Sequence, residues 1–132
     1  PTGLDWRRFL VAEQAGRIVG VVQVKPHFDG SRELASLAVV SAWRGKGVGS
    51  ALIRALLARE SGMLHLMCRA ELQGYYARFG FLSLQPDAMP PYFRRIARLA
   101  NLFSPPNAPR LAIMRRGARP VTHEPPAPHP SA

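Results

Sequence analysis

The sequence predicts one α+β domain, bordering on α/β, with a mixed and mostly antiparallel central sheet carrying helices on both faces. Three observations predict it. β-rich apolar runs separated by turn signals fill about the first 40 residues, the apolar period then switches to that of a helix at Gly47, and shorter runs of both kinds alternate afterwards. A chain of 132 residues is long enough for one domain with a core and too short for two ordinary ones.

Phe9 to Gln14 and Ile18 to Lys25 are rich in β-branched and apolar residues, and the Ala15-Gly16-Arg17 link between them suits a tight reversal, so the pair reads as a hairpin. The Asp29-Gly30 turn signal leads into Glu33 to Val40, a third strand antiparallel to the second. From Gly47 onward, Val48, Ala51, Leu52, Ala55 and Leu56 follow the spacing of a helix with one buried face, ending near Ser61-Gly62. Met63 to Cys68 is nearly continuous in apolar character, as a central strand covered on both sides would be. A short helix is expected over Glu71 to Phe79, closed by Gly80, and a weak strand over Phe81 to Leu84.

Eleven of the thirteen prolines lie from Pro86 onward, which changes the character of the second half. Between two proline pairs, Phe93, Ile96, Leu99, Ala100 and Phe103 share one face of a helix, with Arg94, Arg95 and Arg98 largely on the other. Arg110 to Arg116 reads as the last strand. The domain therefore spans residues 1–116 with a helical insert at about 90–103, and 117–132, with five prolines and no apolar period, reads as a disordered tail.

Eighteen Lys plus Arg against eight Asp plus Glu give a net charge of +10, which favours polyanionic partners: nucleic acid, anionic lipid or a phosphorylated cofactor. Tyr92 to Arg116 holds six arginines and no acid. No apolar run approaches the roughly 20 residues needed to span a bilayer, so no membrane role is expected. One cysteine, Cys68, rules out an internal disulfide, and no zinc-ligand spacing occurs, so no metal is expected. Without a targeting segment in view, the cytoplasm is the expected compartment.

The chemistry concentrates where the third strand runs through Ser41 to Gly49 into a helix. The first turn of a helix offers unpaired N–H groups and partial positive charge, a natural seat for phosphate. Gly45, Gly47 and Gly49 let the backbone approach phosphate oxygens, and Arg44 and Lys46 add full charges. The glycines could equally serve only a sharp turn, yet the interleaved basic residues at a strand-to-helix junction favour phosphate. Neither GxxxxGK[ST] nor GxGxxG is present, which sets aside the P-loop and the Rossmann fingerprint.

Arg44, Gly47 and Gly49 in an R-x-x-G-x-G pattern, preceded by LASLAVVSAW and followed by SALIRALL, resemble the acetyl-CoA pyrophosphate motif of the GNAT superfamily of N-acetyltransferases. Tyr76-Ala77-Arg78-Phe79-Gly80-Phe81 resembles the family's second element, a helix ending in Tyr-x-x-x-Gly-Phe, and the likeness covers about Phe9 to Leu84. It implies that acetyl-CoA is the co-substrate and that Leu37, Ala38, Val39, Arg44, Gly45, Lys46, Gly47, Val48, Gly49 and Ser50 bind it. It implies a V-shaped slot where the strand at Met63 to Cys68 splays from the third, Tyr76 as the general acid for the departing thiolate, and Glu33 as the base that deprotonates the amine in a ternary complex. Packing within an aromatic cluster is the plain alternative for Tyr76, and an ordinary exposed acid after a turn is that for Glu33.

His65 and Cys68 are three residues apart on a strand, so they face opposite ways, Cys68 as a buried small hydrophobe and His65 as a core or slot-lining residue. His27, beside the turn, is expected to be solvated. The chain departs from the pattern in reaching its first hairpin by Phe9, where relatives begin with a strand and two helices; its N-terminal elements read as short or missing, either trimmed or replaced by a differently built acceptor side. It also reads Cys68-Arg69-Ala70-Glu71-Leu72 where the family often carries an asparagine. The proline-bounded helix would serve as a lid or wall at the acceptor site, or simply cap the core. A small amine and a protein amine are rival acceptors, a homodimer is compatible with the sequence, and nucleic acid is not the expected partner because no nucleic-acid-binding motif occurs. The competing reading is an acyl-CoA-binding sensor or interaction module without turnover.

Overall fold

The computed structural model describes residues 6–108 and 110–117. Six strands form one sheet: β1 (Phe9–Gln14), β2 (Arg17–Pro26), β3 (Arg32–Val39), β4 (Leu64–Arg69), β5 (Leu82–Ser83) and β6 (Leu111–Arg116). Their spatial order is β1-β2-β3-β4-β6-β5, with every neighbouring pair antiparallel except β3 and β4. Helix α1 (Val48–Arg59) is the crossover between the two parallel strands, α2 (Gln73–Ala77) follows β4 after a short 3-10 turn, and α3 (Pro91–Phe103) precedes β6. The expected tail falls outside the described residues from 118 onward. Among the described residues, no helix is long and apolar enough to cross a membrane.

Alternation along the central strands divides the molecule into two layers of core. Leu64, Leu66 and Cys68 of β4, with Met114 of β6 and Leu34 of β3, pack with Leu52, Ile53, Leu56 and Leu57 of α1 and with Phe79 and Phe81 beyond α2. Met67 of β4 and Ile113 of β6 face the other way, against Phe93 of α3 and Met89 just before that helix. Helices therefore cover both faces, as the pleat of a twice-buried strand requires.

The buried face of α1 differs from the expected one. Ile53 and Leu57 are inside, whereas Ala51 and Ala55 are exposed. The stripe is turned toward the larger aliphatic side chains because these remove more apolar area from water than alanine does. This helix lies close to the sheet at Gly20, where a Cβ would stand 2.9 Å from both Leu52 Cδ1 and Val48 Cγ1. Helix α3 also departs from expectation. Of its expected apolar stripe only Phe93 is fully buried, while Leu99 and Phe103 are exposed, as is Leu102 beside them.

Two features shape the middle of the sheet. Strands β3 and β4 pair only at Glu33 opposite His65 and then diverge. On its other side β3 carries a bulge: Ala35 pairs with Gln23 and Ala38 with Val21, so three steps along β3 match two along β2. Ser36, inside the bulge, has φ 55° and accepts a hydrogen bond from Gln23 Nε2 at 2.7 Å. The extra residue bends β3 locally, away from straight alignment with β4.

Candidate active site

Two cavities open along β3. The first, about 380 Å³, is lined by Val39, Trp43, Arg44, Gly45, Gly47, Val48, Gly49, Ser50, Tyr75 and Arg78. Gly47 is the N-cap of α1 in the left-handed conformation, φ 82°, and no side chain hydrogen-bonds to that cap. The first turn contains no acid, so the amides of Val48, Gly49 and Ser50, which lack partners within the helix, meet the cavity with their partial positive charge intact. A Cβ placed on Gly45 or Gly47 would find no atom within 4 Å, so the space beside both glycines is open. Arg44 donates from Nε to the Val39 carbonyl at 3.2 Å, which ties its guanidinium to the end of β3. Ser50 and Tyr75 join their hydroxyls at 2.9 Å across the rim.

The second cavity, about 260 Å³, fills the gap where β3 leaves β4 and is lined by Glu33, Leu34, Ala35, Ser36, Leu37, Leu66, Met67 and Tyr76. Tyr76 enters from the α1 and α2 side, packed with that core, whereas Glu33 lies across the strand from Leu34, on the α3 side. The gap thus brings a phenol and a carboxylate from opposite faces of the sheet to one space. Burial raises the Tyr76 phenol above its ordinary value of 10.0, and Cys68 and Tyr75 add to the shift. It remains a proton donor throughout the neutral range.

Glu33 is buried rather than exposed, and its Oε1 lies 2.7 Å from His27 Nε2. The expectation that His27 is solvated is therefore corrected: its side chain is 10% exposed, and its ring stacks on Tyr92 with centroids 3.6 Å apart. Residues more than 60 positions downstream cover it, which no local pattern announces. His65 and Cys68 do face opposite layers. Cys68 sits in the α1 core, its thiol pushed up by burial, and the His65 ring stacks on Phe93 at 5.3 Å.

His65 Nδ1 is buried without a hydrogen-bond partner. Burial lowers its pKa below the ordinary 6.5, and Arg115 lowers it further. The unfolded chain therefore takes up a proton near 6.5 that the folded protein resists, so stability is lost as the pH falls from about 6.5 toward the folded value. Urea denaturation is expected to show a lower midpoint at about pH 5.5 than at about pH 7.5, and His65→Leu is expected to narrow that difference.

Of the expected cofactor residues, Val39, Arg44, Gly45, Gly47, Val48, Gly49 and Ser50 line the first cavity and Leu37 the second. Ala38 and Lys46 line neither, and the Lys46 ammonium lies 5.0 Å from the Trp43 ring centre. Trp43, Tyr75 and Arg78 were not foreseen as lining residues. Arg78 had a signal, a cation two positions beyond Tyr76, at the end of a helix whose Tyr75 reaches Ser50 of α1. Among the described residues, no group of three or more His, Cys, Asp or Glu side chains is placed to hold a metal ion.

Comparison with known proteins places this architecture. No curated protein matches the sequence. Among solved structures, the chain is similar to N-acetylglutamate synthase from Neisseria gonorrhoeae complexed with coenzyme A and N-acetyl-glutamate, with TM-score 0.64 and 21% identity over 83% of this chain. The chain spans only 25% of that protein's length. It is also similar to an acyl-CoA N-acyltransferase from Pseudomonas aeruginosa, with TM-score 0.55, 26% identity, and coverage of 83% of this chain and 67% of that one. The model of the acetyltransferase (GNAT) domain matches residues 5–82, more than half of the sequence, and the chain belongs to the GNAT acetyltransferase family.

Proposed function

We propose that the protein is an N-acetyltransferase that passes the acetyl group of acetyl-CoA to a primary amine by direct attack in a ternary complex. The observation that carries the reading is the adjacency of the two cavities along β3. One offers unpaired amides, Arg44 and Arg78 to a diphosphate, and the next offers an acid and a base to a thioester and an amine. The diverging edges of β3 and β4 leave backbone groups free to bind an extended arm running from one to the other. Val39, Gly45, Gly47, Val48, Gly49 and Ser50 would hold the pyrophosphate, and Leu37 and Ala38 the arm, with Lys46 adding long-range attraction.

In this reading Glu33 takes a proton from the bound ammonium, and the freed lone pair attacks the acetyl carbonyl. The carbon–sulfur bond breaks, and the Tyr76 hydroxyl delivers a proton to the departing thiolate. The charge of +10 favours an acceptor bearing an acidic or phosphate group, whether a small molecule or a protein. The solved N-acetylglutamate synthase, which holds coenzyme A and an acetylated amino acid, supports this class of acceptor. The setting we assign is cytoplasmic.

The test is calorimetry with acetyl-CoA, followed by thiol-release assays over amino acids, polyamines, arylalkylamines and peptides with free amines. Saturable binding with acceptor-dependent release is the expected result. Binding without release from any acceptor would replace the enzyme by an acyl-CoA-binding sensor.

A further inference from the structure

Glu33 lines the gap between β3 and β4, whereas His27, which holds one of its carboxylate oxygens, does not. The imidazole is fixed from three directions. Its own loop is closed by the His27 amide donating to the Ser31 carbonyl at 2.9 Å and the Gly30 amide donating to the His27 carbonyl at 3.0 Å. From α3, Tyr92 stacks on it nearly parallel and Phe93 meets it edge-on at 5.7 Å. From β3 comes Glu33 itself. Asp29 closes the arrangement by accepting a hydrogen bond from the Tyr92 amide at 3.0 Å, which ties the first turn of α3 to the loop that carries His27.

A carboxylate can only accept hydrogen bonds, so the 2.7 Å contact requires the proton on His27 Nε2. With Oε1 engaged, Oε2 is the oxygen left to receive a proton from an amine. An unpaired glutamate would instead spread over several rotamers and lose alignment with the gap.

We infer that His27, clamped by Tyr92 and Phe93 of α3, is the positioning residue that fixes the Glu33 carboxylate for proton abstraction, so that α3 is part of the active site rather than a cap on the core. The inference rests on the proposed transferase reading. The proton balance is unaltered by His27: the ammonium N–H bond breaks, the proton passes to Oε2, and the electron pair stays on nitrogen. No net proton transfer to the imidazole is needed.

The experiment compares His27→Gln with His27→Asn, two amides of like polarity that differ in reach. A glutamine amide can occupy the place of Nε2 and donate to Glu33, and an asparagine amide falls short. Acetyl-CoA and the fastest amine of the panel serve as substrates, and thermal melts establish that each protein is folded. With His27→Asn, kcat is expected to fall by about tenfold to a hundredfold while KM for acetyl-CoA stays within about twofold, and His27→Gln is expected to restore most of kcat. Equal kcat in the native and folded His27→Asn proteins would overturn this inference and leave the transferase reading standing. Absence of transfer by the native protein would overturn both.

Discussion

Tyr76→Phe is expected to lower kcat by about a hundredfold or more while leaving acetyl-CoA affinity within about twofold of the native value. The argument rests on what the substitution removes and what it keeps. The ring's edge-on contacts with Tyr75 and Phe81, with centroids 5.1 and 6.3 Å apart, survive in phenylalanine. The hydroxyl makes no hydrogen bond among the described residues, so its loss leaves no buried partner unsatisfied. What disappears is the proton donor facing the gap, and with it, in the proposed mechanism, the means of neutralising a departing thiolate. Because burial raises the phenol above 10.0, the proton is held into alkaline solution, and the alkaline fall in native activity assigned to this group belongs above that value. Steady-state thiol release and calorimetry, run on both proteins, check both halves. An unchanged kcat would take Tyr76 out of the mechanism.

Gly47→Asp is expected to weaken acetyl-CoA binding by about a hundredfold at a modest cost in stability. Aspartate tolerates the left-handed conformation better than most residues, so at φ 82° it adds strain of about 1–2 kcal/mol without abolishing α1. A Cβ there meets no protein atom within 4 Å, so no clash arises. The new carboxylate would instead occupy the open space beside the unpaired amides, compete for them, and repel a diphosphate. At about 4 Å and an effective dielectric near 20, two like charges cost about 4 kcal/mol, enough for a hundredfold loss after partial screening. Calorimetry with acetyl-CoA reads the affinity and circular dichroism the fold. Full affinity in a folded protein would remove the helix start from the binding site.

Much of this architecture was legible in the sequence because its signals are local. The β1–β2 hairpin, the change of period at Gly47, the run at Met63 to Cys68 and the prolines bracketing α3 each announce themselves within one short stretch of chain. The corner proposed to bind phosphate is equally local, since strand, glycines and helix follow one another along the chain. What escaped reading depends on distant partners. His27 looks like a loop residue until Tyr92 is laid over it, and Glu33 looks like a surface acid until β4 and α3 close around it. The exposed end of α3 failed for the same reason: apolar spacing states which side chains share a face, and only the finished sheet decides how far that face is covered.

The single point of pairing between β3 and β4 has a mechanical consequence. The sheet is two leaves, β1-β2-β3 and β4-β6-β5, bound at one spot like pages at a staple. Hydrogen bonds therefore cannot set how wide the leaves stand apart beyond Glu33 and His65. That distance is left to the shared core, in which Leu52, Ile53 and Leu56 of α1 belong to the same buried cluster as Leu34 of one leaf and Leu66 of the other. Core volume and reaction geometry become one variable, so trimming these aliphatic side chains would alter the fit of a substrate they never touch.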